Sequence, residues 1–400
     1  MVMTDSEIIY LDNNATTPLD PAVIEEILPF LRECYGNPSS GYAFAAKARE
    51  AVDLARERLA ALLGCEPPEI VFTSCGTESN NAVINSVLQF EPHGKHIVTS
   101  AVEHSAVLHP CQDLIKRGCD VTFLSVDQDG RVDLGELEAA IRPETALVSM
   151  MWANNETGVL FPVEKIAELC RDKGVPFHTD AVQAVGKIPI GVRDTAINFL
   201  SLSAHKFHGP KGVGALYVRR GTRFHPLIAG GGQEDGRRGG TENVASIVGL
   251  GKAAERALEY LTEGKTHIRS MRDRFEKAIL ERVSGASVNG ARAARVPNTS
   301  SFSFEGIESP AALLLLDRHR ICCSAGSACR TGSQEASHVL RAMDSIGDRA
   351  RRSLRFSFSR FNTDAQIDRA IEIVPKVIAK LREMTTPAQA SAVSAAVTAQ

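Results

Sequence analysis

The sequence predicts an α/β fold, in which a largely parallel sheet wrapped by helices is joined to a smaller α+β domain. Three observations carry that prediction. From about residue 69 to residue 260, short apolar runs alternate with amphipathic stretches, the pattern of strands linked by crossover helices. After about residue 265 the texture changes to a long helical stretch, two alternating strands and a terminal helix. Finally, 400 residues exceed the usual size of one hydrophobic core, so two domains are expected.

Asp20-Pro21 opens a helix that runs to about Cys34, with an N-cap and a proline in the first turn. Phe44 to Leu63 reads as a second helix, closed by Gly64. Glu69 to Ser74 reads as a strand, Cys75-Gly76 as a turn and Thr77 to about Phe90 as a helix. Further strands are expected at His96 to Thr99, Val121 to Leu124, Ala146 to Met151, Val175 to Thr179, Phe199 to Ser201 and Val213 to Tyr217, which makes seven in the large sheet. The smaller domain is expected to hold a helix from His267 to Val283, strands at Ser300 to Phe304 and Leu354 to Phe358, and a helix from Thr363 to Met384. The expected division is an N-terminal segment, 1–20, packing with the smaller domain, a large domain over 21–260 and a small domain over 261–384. Residues 385–400 carry no charge and are expected to be disordered.

Hydrophobic content of 44% with 23% charged residues describes an ordinary globular chain. A formal net charge of -3 and only short basic runs, such as Arg349-Ala350-Arg351-Arg352, argue against a nucleic-acid partner. The first ten residues carry Asp5 and Glu7 where a secretory signal would carry basic residues, and no apolar run is long enough to span a bilayer. Nine cysteines without regular spacing indicate reduced thiols in the cytoplasm, most of them packing residues.

The chemistry concentrates at the carboxyl ends of the predicted strands. Asp180 ends the stretch Val175 to Asp180, which places an acid at the mouth of a parallel sheet where α/β ligands bind; it also suits a helix N-cap. About one crossover later, Lys206 lies in Ser203-Ala204-His205-Lys206-Phe207-His208-Gly209. An amine that can hold an aldehyde as a Schiff base, with a carboxylate that keeps a pyridine nitrogen protonated, is what a pyridoxal phosphate (PLP) enzyme requires. Gly76 and Thr77 open a helix straight after a strand, so its first N–H groups suit a phosphate, although Thr77 equally suits a plain N-cap. Ser203 and His205 can add donors to that phosphate. His104 stands at the same edge, either stacked on the ring and moving protons or simply hydrogen-bonded in the core. Asn155 offers an amide there, in a run that also reads as an Asn/Gly turn, and Gln183 lies within reach of the ring hydroxyl.

A second cluster is Cys322-Cys323-Ser324-Ala325-Gly326-Ser327-Ala328-Cys329-Arg330-Thr331-Gly332-Ser333. Its small residues leave Cys329 accessible, and Arg330 beside it favours the thiolate, whose pKa in a free cysteine is about 8.5. Cys322 and Cys323 end an apolar segment and read as small core residues; a metal site using them with Cys329 is the competing reading, against which adjacent cysteines followed by a five-residue gap match no common zinc or iron–sulfur spacing. Arg355 alternates out of phase with Leu354, Phe356 and Phe358, so its guanidinium faces away from them, available to a substrate carboxylate or to a salt bridge; Arg360 competes for that role. The glycine-rich run from Gly230 to Asn243 is either a flexible linker or a loop that reaches a neighbouring subunit.

From Ile9 to about Leu381 these motifs together resemble the PLP-dependent cysteine desulfurases of the NifS/IscS type. The matching runs are YLDNNATTPLD, GNPSS, TSCGTESNN, EHSAVL, MWANNETG, HTDAVQAVGK, SLSAHKFHGPKGVGALYVRRG, GGGQEDGRRGGTENV and SAGSACRTGS. The resemblance implies PLP fold type I, with Lys206 as the Schiff-base lysine, Asp180 on the pyridine nitrogen and His104 stacked on the ring. It implies that Gly76, Thr77, Ser203 and His205 hold the phosphate, that Asn155 and Gln183 meet the ring hydroxyl, and that Arg355 takes the carboxylate of L-cysteine. Thr241 would complete the phosphate site of the second subunit of a homodimer. Cys329 matches the persulfide-forming cysteine, which delivers sulfur to an iron–sulfur scaffold protein. No intrinsic metal site is implied beyond a transient iron–sulfur species on that persulfide. Arg330 stands where relatives often carry Thr or Ser. Asn13-Asn14, TSCGTE and MWANNETG lean toward the nitrogen-fixation branch. Competing activities are a PLP-dependent selenocysteine lyase or aminotransferase, and, from another class, an iron–sulfur scaffold.

Overall fold

The computed structural model describes residues 8–90, 96–264, 266–326, 337–344 and 347–385. Cys329, Arg330, Met1 to Glu7 and the tail beyond 385 lie outside the described residues. Among those described, the strands are β1 (Ile9–Tyr10), β2 (Ile70–Thr73), β3 (His96–Ser100), β4 (Asp120–Leu124), β5 (Thr145–Ser149), β6 (Phe177–Asp180), β7 (Phe199–Ser203), β8 (Gly214–Val218), β9 (Ala286–Val288), β10 (Thr299–Phe304), β11 (Ile321–Cys322) and β12 (Ser353–Ser357). No helix among the described residues is long and apolar enough to cross a membrane.

The larger unit, Asn14–Thr266 with Gly290–Pro297, is built on a seven-stranded sheet of order β2-β8-β7-β6-β5-β3-β4. Strands β4, β3, β5, β6 and β7 are parallel neighbours, and β8 alone runs antiparallel to both β7 and β2. Because β8 reverses direction twice over, β2 points the same way as β7. The carboxyl ends of β2, β3, β5, β6 and β7 therefore share one edge of the sheet, where α/β folds place their ligands. Strands β2, β3, β5, β6, β7 and β8 are buried along their whole length, as helices on both faces require.

Local chemistry sets the helix ends close to where the sequence places them. Asp20 caps Pro21–Arg32 by accepting the Ala22 N–H at 2.9 Å. Gly64 closes Ala43–Leu63 at φ 66°, a left-handed conformation that glycine adopts without a Cβ penalty.

The smaller unit, Met1–Asn13, His267–Asn289 and Asn298–Gln400, contains the antiparallel sheet β12-β10-β9 and the parallel pair β1-β11. Alternation in β10 and β12 sends Phe302, Phe304, Leu354 and Phe356 into a core closed by Phe275 of the helix His267–Arg282, whose ring centroid lies 5.0 Å from that of Phe356. The boundaries fall at Asn13/Asn14 and Thr266/His267, where residues 20 and 260 are expected, and Gly290–Pro297 returns to the larger unit. Hydrogen bonding explains the N-terminal border and the return of Gly290–Pro297. Asn13 donates to Ser357 O at 2.8 Å within the smaller unit, whereas the next residues bond into the larger one. Leu160 and Val296 exchange backbone bonds with Ala294 and Gly158, which ties the returning segment down.

Candidate active site

Five strand ends deliver side chains to the shared edge of the larger sheet. After β2, Gly76 begins the helix Gly76–Phe90; a Cβ there would lie 2.6 Å from Val182 Cγ2, so only glycine lets this N-terminus approach so closely. Thr77 is exposed beside it, leaving the positive end of the helix facing solvent at the edge.

After β3, Glu103 and His104 turn the chain into the helix Ser105–Lys116. The imidazole caps that helix, its Nδ1 accepting the Ala106 N–H at 3.1 Å, so the ring proton of neutral His104 sits on Nε2. Glu103 is fully buried and links β3 to the end of β5, accepting from Ser100 Oγ at 2.8 Å and from the Met151 N–H at 2.9 Å. Burial pushes its carboxyl up to about 8. After β5, Asn154 builds the turn by accepting the N–H groups of Glu156 and Thr157 at 2.9 and 3.0 Å, while the Asn155 carbonyl accepts Asn14 Nδ2 at 3.2 Å.

At the end of β6 the buried Asp180 carboxylate accepts Asn80 Nδ2 at 2.7 Å and the Val182 N–H at 3.0 Å. No helix follows Asp180, so the side chain is not a helix N-cap; it caps the turn that follows instead and stands at the sheet edge. After β7, Ser203 is buried near Gly76, and His205 meets Thr16 Oγ1 at 3.1 Å. Burial, then Lys206, Lys211 and Lys187, lower the His205 imidazole to about 4, so it is neutral. Lys206 directs its Nζ onto the carbonyls of Asn14 at 2.7 Å and Ala15 at 2.8 Å. Gln183 Nε2 donates to the same Asn14 carbonyl at 2.9 Å.

Lys206 and Gln183 therefore meet at the Asn14 carbonyl, while Asp180, Val182, Gly76 and Ser203 form a second group of neighbours that Gln183 adjoins along the chain. Sequence reasoning missed the residues that join them: Asn14, Asn80 and Lys187. Asn14 and Asn80 belong to the quoted runs YLDNNATTPLD and TSCGTESNN, yet nothing local reveals that their partners are Lys206 and Asp180.

The glycine-rich run is not a flexible linker. Glu234 accepts both Arg56 Nη atoms, at 2.7 and 2.9 Å, and the Phe72 N–H at 2.9 Å, and Arg238 pairs with Glu78 at 3.0 Å. Thr241 is exposed on this anchored loop, beside a cavity of about 220 Å³ that Ser74 and Arg238 also line.

In the smaller unit Arg355 is 1% exposed, and its Nη2 donates to Asp12 Oδ1 at 2.7 Å. Arg360 instead lies over the Phe361 ring, 5.2 Å from its centroid. Burial pushes Cys65, Cys111 and Cys170 up to about 12 and raises Cys322 and Cys323 as well, so these five are poor nucleophiles at neutral pH. Cys323 packs against the phenylalanine core, as its small apolar surroundings in the sequence suggest.

One buried histidine of this sheet sets an acid limit. His178 lies between Ser149 Oγ at 2.8 Å and Ser201 Oγ at 2.9 Å, and burial lowers it to about 3. The unfolded chain takes up this proton below about 6.5 while the folded chain refuses it until about 3. Its contribution to stability is thus complete above the unfolded pKa and is lost as pH falls through that window, by about 1.4 kcal/mol per unit. Glu103 acts with the opposite sign, its contribution fading as pH rises from the ordinary carboxyl range through about 8. Denaturant titrations of wild type and His178→Gln from pH 7 to 4 should differ in slope by about one proton, since every other group is common to both. Parallel curves would show that His178 already charges in the folded protein.

The chain matches the aminotransferase class-V family over residues 9–370. It is 54% identical over 379 residues to a cysteine desulfurase of Gluconacetobacter diazotrophicus, covering 94% of this chain and 95% of that one. It is 50% identical over 378 residues to the cysteine desulfurase NifS of Azotobacter vinelandii, covering 94% of each. Among solved structures, a NifS-like protein superposes with a TM-score of 0.87 at 39% identity, over 94% of this chain and all of that one. With its site residues gathered on one sheet edge and half of its sequence shared along nearly its whole length, this chain belongs to the aminotransferase class-V family and, within it, to the cysteine desulfurases of the NifS type.

Proposed function

We propose that this chain is a pyridoxal-phosphate-dependent cysteine desulfurase that converts L-cysteine to L-alanine and keeps the sulfur as a persulfide on Cys329 for iron–sulfur cluster assembly. The observation that carries this is the gathering of the Lys206 amine, the buried Asp180 carboxylate and the glycine-tight helix N-terminus at Gly76 on one edge of the sheet.

Pyridoxal phosphate fits those residues. Gly76, Thr77, Ser203 and His205 would hold its phosphate, with Thr241 serving the second subunit of a homodimer. Asp180, its geometry fixed by Asn80 and Val182, would hold the pyridine nitrogen, and Gln183 and Asn155 the ring hydroxyl. When bound, the cofactor supplies an electron sink that acidifies the substrate Cα–H. His104 would carry protons beside the cofactor, and the Lys206 amine would remove the substrate Cα proton. Arg355 binds the substrate carboxylate. The Cys329 thiolate attacks the substrate sulfur, so that an S–S bond forms as the C–S bond breaks. L-cysteine and the enzyme thiol thus become L-alanine and an enzyme persulfide, with atoms and electrons balanced. The sulfur then passes to a scaffold protein in the cytoplasm, and the branch motifs point to nitrogenase maturation as its destination.

The test is product analysis. Holoenzyme with L-cysteine and a dithiol reductant should release alanine and sulfide in equal amounts, with no net consumption of an added 2-oxo acid. Amino transfer to the oxo acid without sulfide would make the protein an aminotransferase. Bound iron without a borohydride-sensitive chromophore would make it a scaffold.

A further inference from the structure

We propose that Lys187 is a positioning residue that holds the Gln183 carboxamide by its oxygen, so that its nitrogen is turned to the Asn14 carbonyl that also accepts the Lys206 amine, and that its ammonium adds a second positive charge to this neighbourhood. The inference rests on the cofactor assignment above, because Gln183 then acts as a donor to the cofactor's ring oxygen.

Lys187 lies four residues beyond Gln183 in the turn that follows Asp180, and its Nζ contacts Gln183 Oε1 and, at 3.0 Å, Asn14 Oδ1. An ammonium can only donate. The carboxamide oxygen must therefore face Lys187, and Nε2 must face the other way. Nε2 indeed donates to the Asn14 carbonyl at 2.9 Å, the same oxygen that accepts Lys206 Nζ at 2.7 Å. Asn14 thus receives Lys187 on its side chain and both Gln183 and Lys206 on its backbone oxygen, which brings both ammonium groups to one residue.

Two effects follow, and both push a proton off the Lys206 nitrogen. A like charge nearby disfavours the protonated form. An amide donor on the ring oxygen competes with that nitrogen for the same acceptor. Lys206 needs this help if it is to act as a base near neutral pH. The other titratable groups at this edge include Glu103, His104, His205, Lys211 and Asp180, of which Glu103 is engaged by Ser100 and the Met151 N–H, His104 by the Ala106 N–H, Asp180 by Asn80 and Val182, and His205 by Thr16.

The experiment is a pH titration of the bound cofactor's absorbance in holoenzymes of wild type, Lys187→Met, Lys187→Gln and Lys187→Arg. The Met variant should titrate about one unit higher than wild type. The Arg variant, which keeps both charge and donor, should return to the wild-type midpoint. The Gln variant, which can still donate to Gln183 but has no charge, should fall between them. An unchanged midpoint in the Met variant overturns the proposal; if that variant does not retain cofactor, an unchanged midpoint in the Gln variant does so instead. A wild-type protein with no borohydride-sensitive chromophore sinks the cofactor assignment itself, and this inference with it.

Discussion

Lys206→Ala is expected to fold, to lose the borohydride-fixable chromophore and to lose about 10³-fold or more of its desulfurase rate. The replacement removes the amine that would bond the cofactor covalently, together with the base assigned to the Cα proton. It leaves the Gly76 helix N-terminus and Asp180 in place, so cofactor can still bind reversibly. The folded state loses the two hydrogen bonds to Asn14 and Ala15, each worth about 1 kcal/mol, well short of global unfolding. Lys187 is another amine of this neighbourhood, but it is held by Gln183 and Asn14. Borohydride reduction followed by peptide mapping checks the assignment. Label on the Lys187 peptide in wild type, or undiminished turnover in the variant, would refute it.

Cys329→Ala should have the opposite signature: an intact chromophore that still responds to L-cysteine, with sulfide and alanine formation down by about 10³-fold or more. The persulfide needs a thiolate, and burial disfavours one at five of the other described cysteines. Cys65, Cys111 and Cys170 are pushed up to about 12 by burial, and Cys322 and Cys323 are raised by the same cause. Sulfide release by the variant at the wild-type rate would rule out the persulfide step. Together the two substitutions separate cofactor chemistry from sulfur chemistry. The first abolishes both, the second only the latter.

The legible part of this protein is the part in which chemistry and chain order coincide. Asp180 was visible because an apolar strand runs into it, and Lys206 because a short loop of small residues carries it one crossover later. The alternation of Leu354, Phe356 and Phe358 correctly turned Arg355 to the other face of its strand. The run from Gly230 to Asn243 misled in one of its two readings, because glycine content reports conformational freedom and says nothing of the Arg56–Glu234 pair, 178 residues apart, that pins the loop down.

Strand and helix identity, the Lys206 amine and the acid at the sheet edge follow from neighbours along the chain, where period, capping and turn chemistry act over a few residues. The borders between the two units, the Asn14 carbonyl shared by Lys206 and Gln183, and the Asn80 clamp on Asp180 came from folding alone. Each is a contact between segments separated by 100 residues or more. Such contacts depend on strand order and on helix N-termini meeting at one edge, and the composition of neither segment encodes its partner.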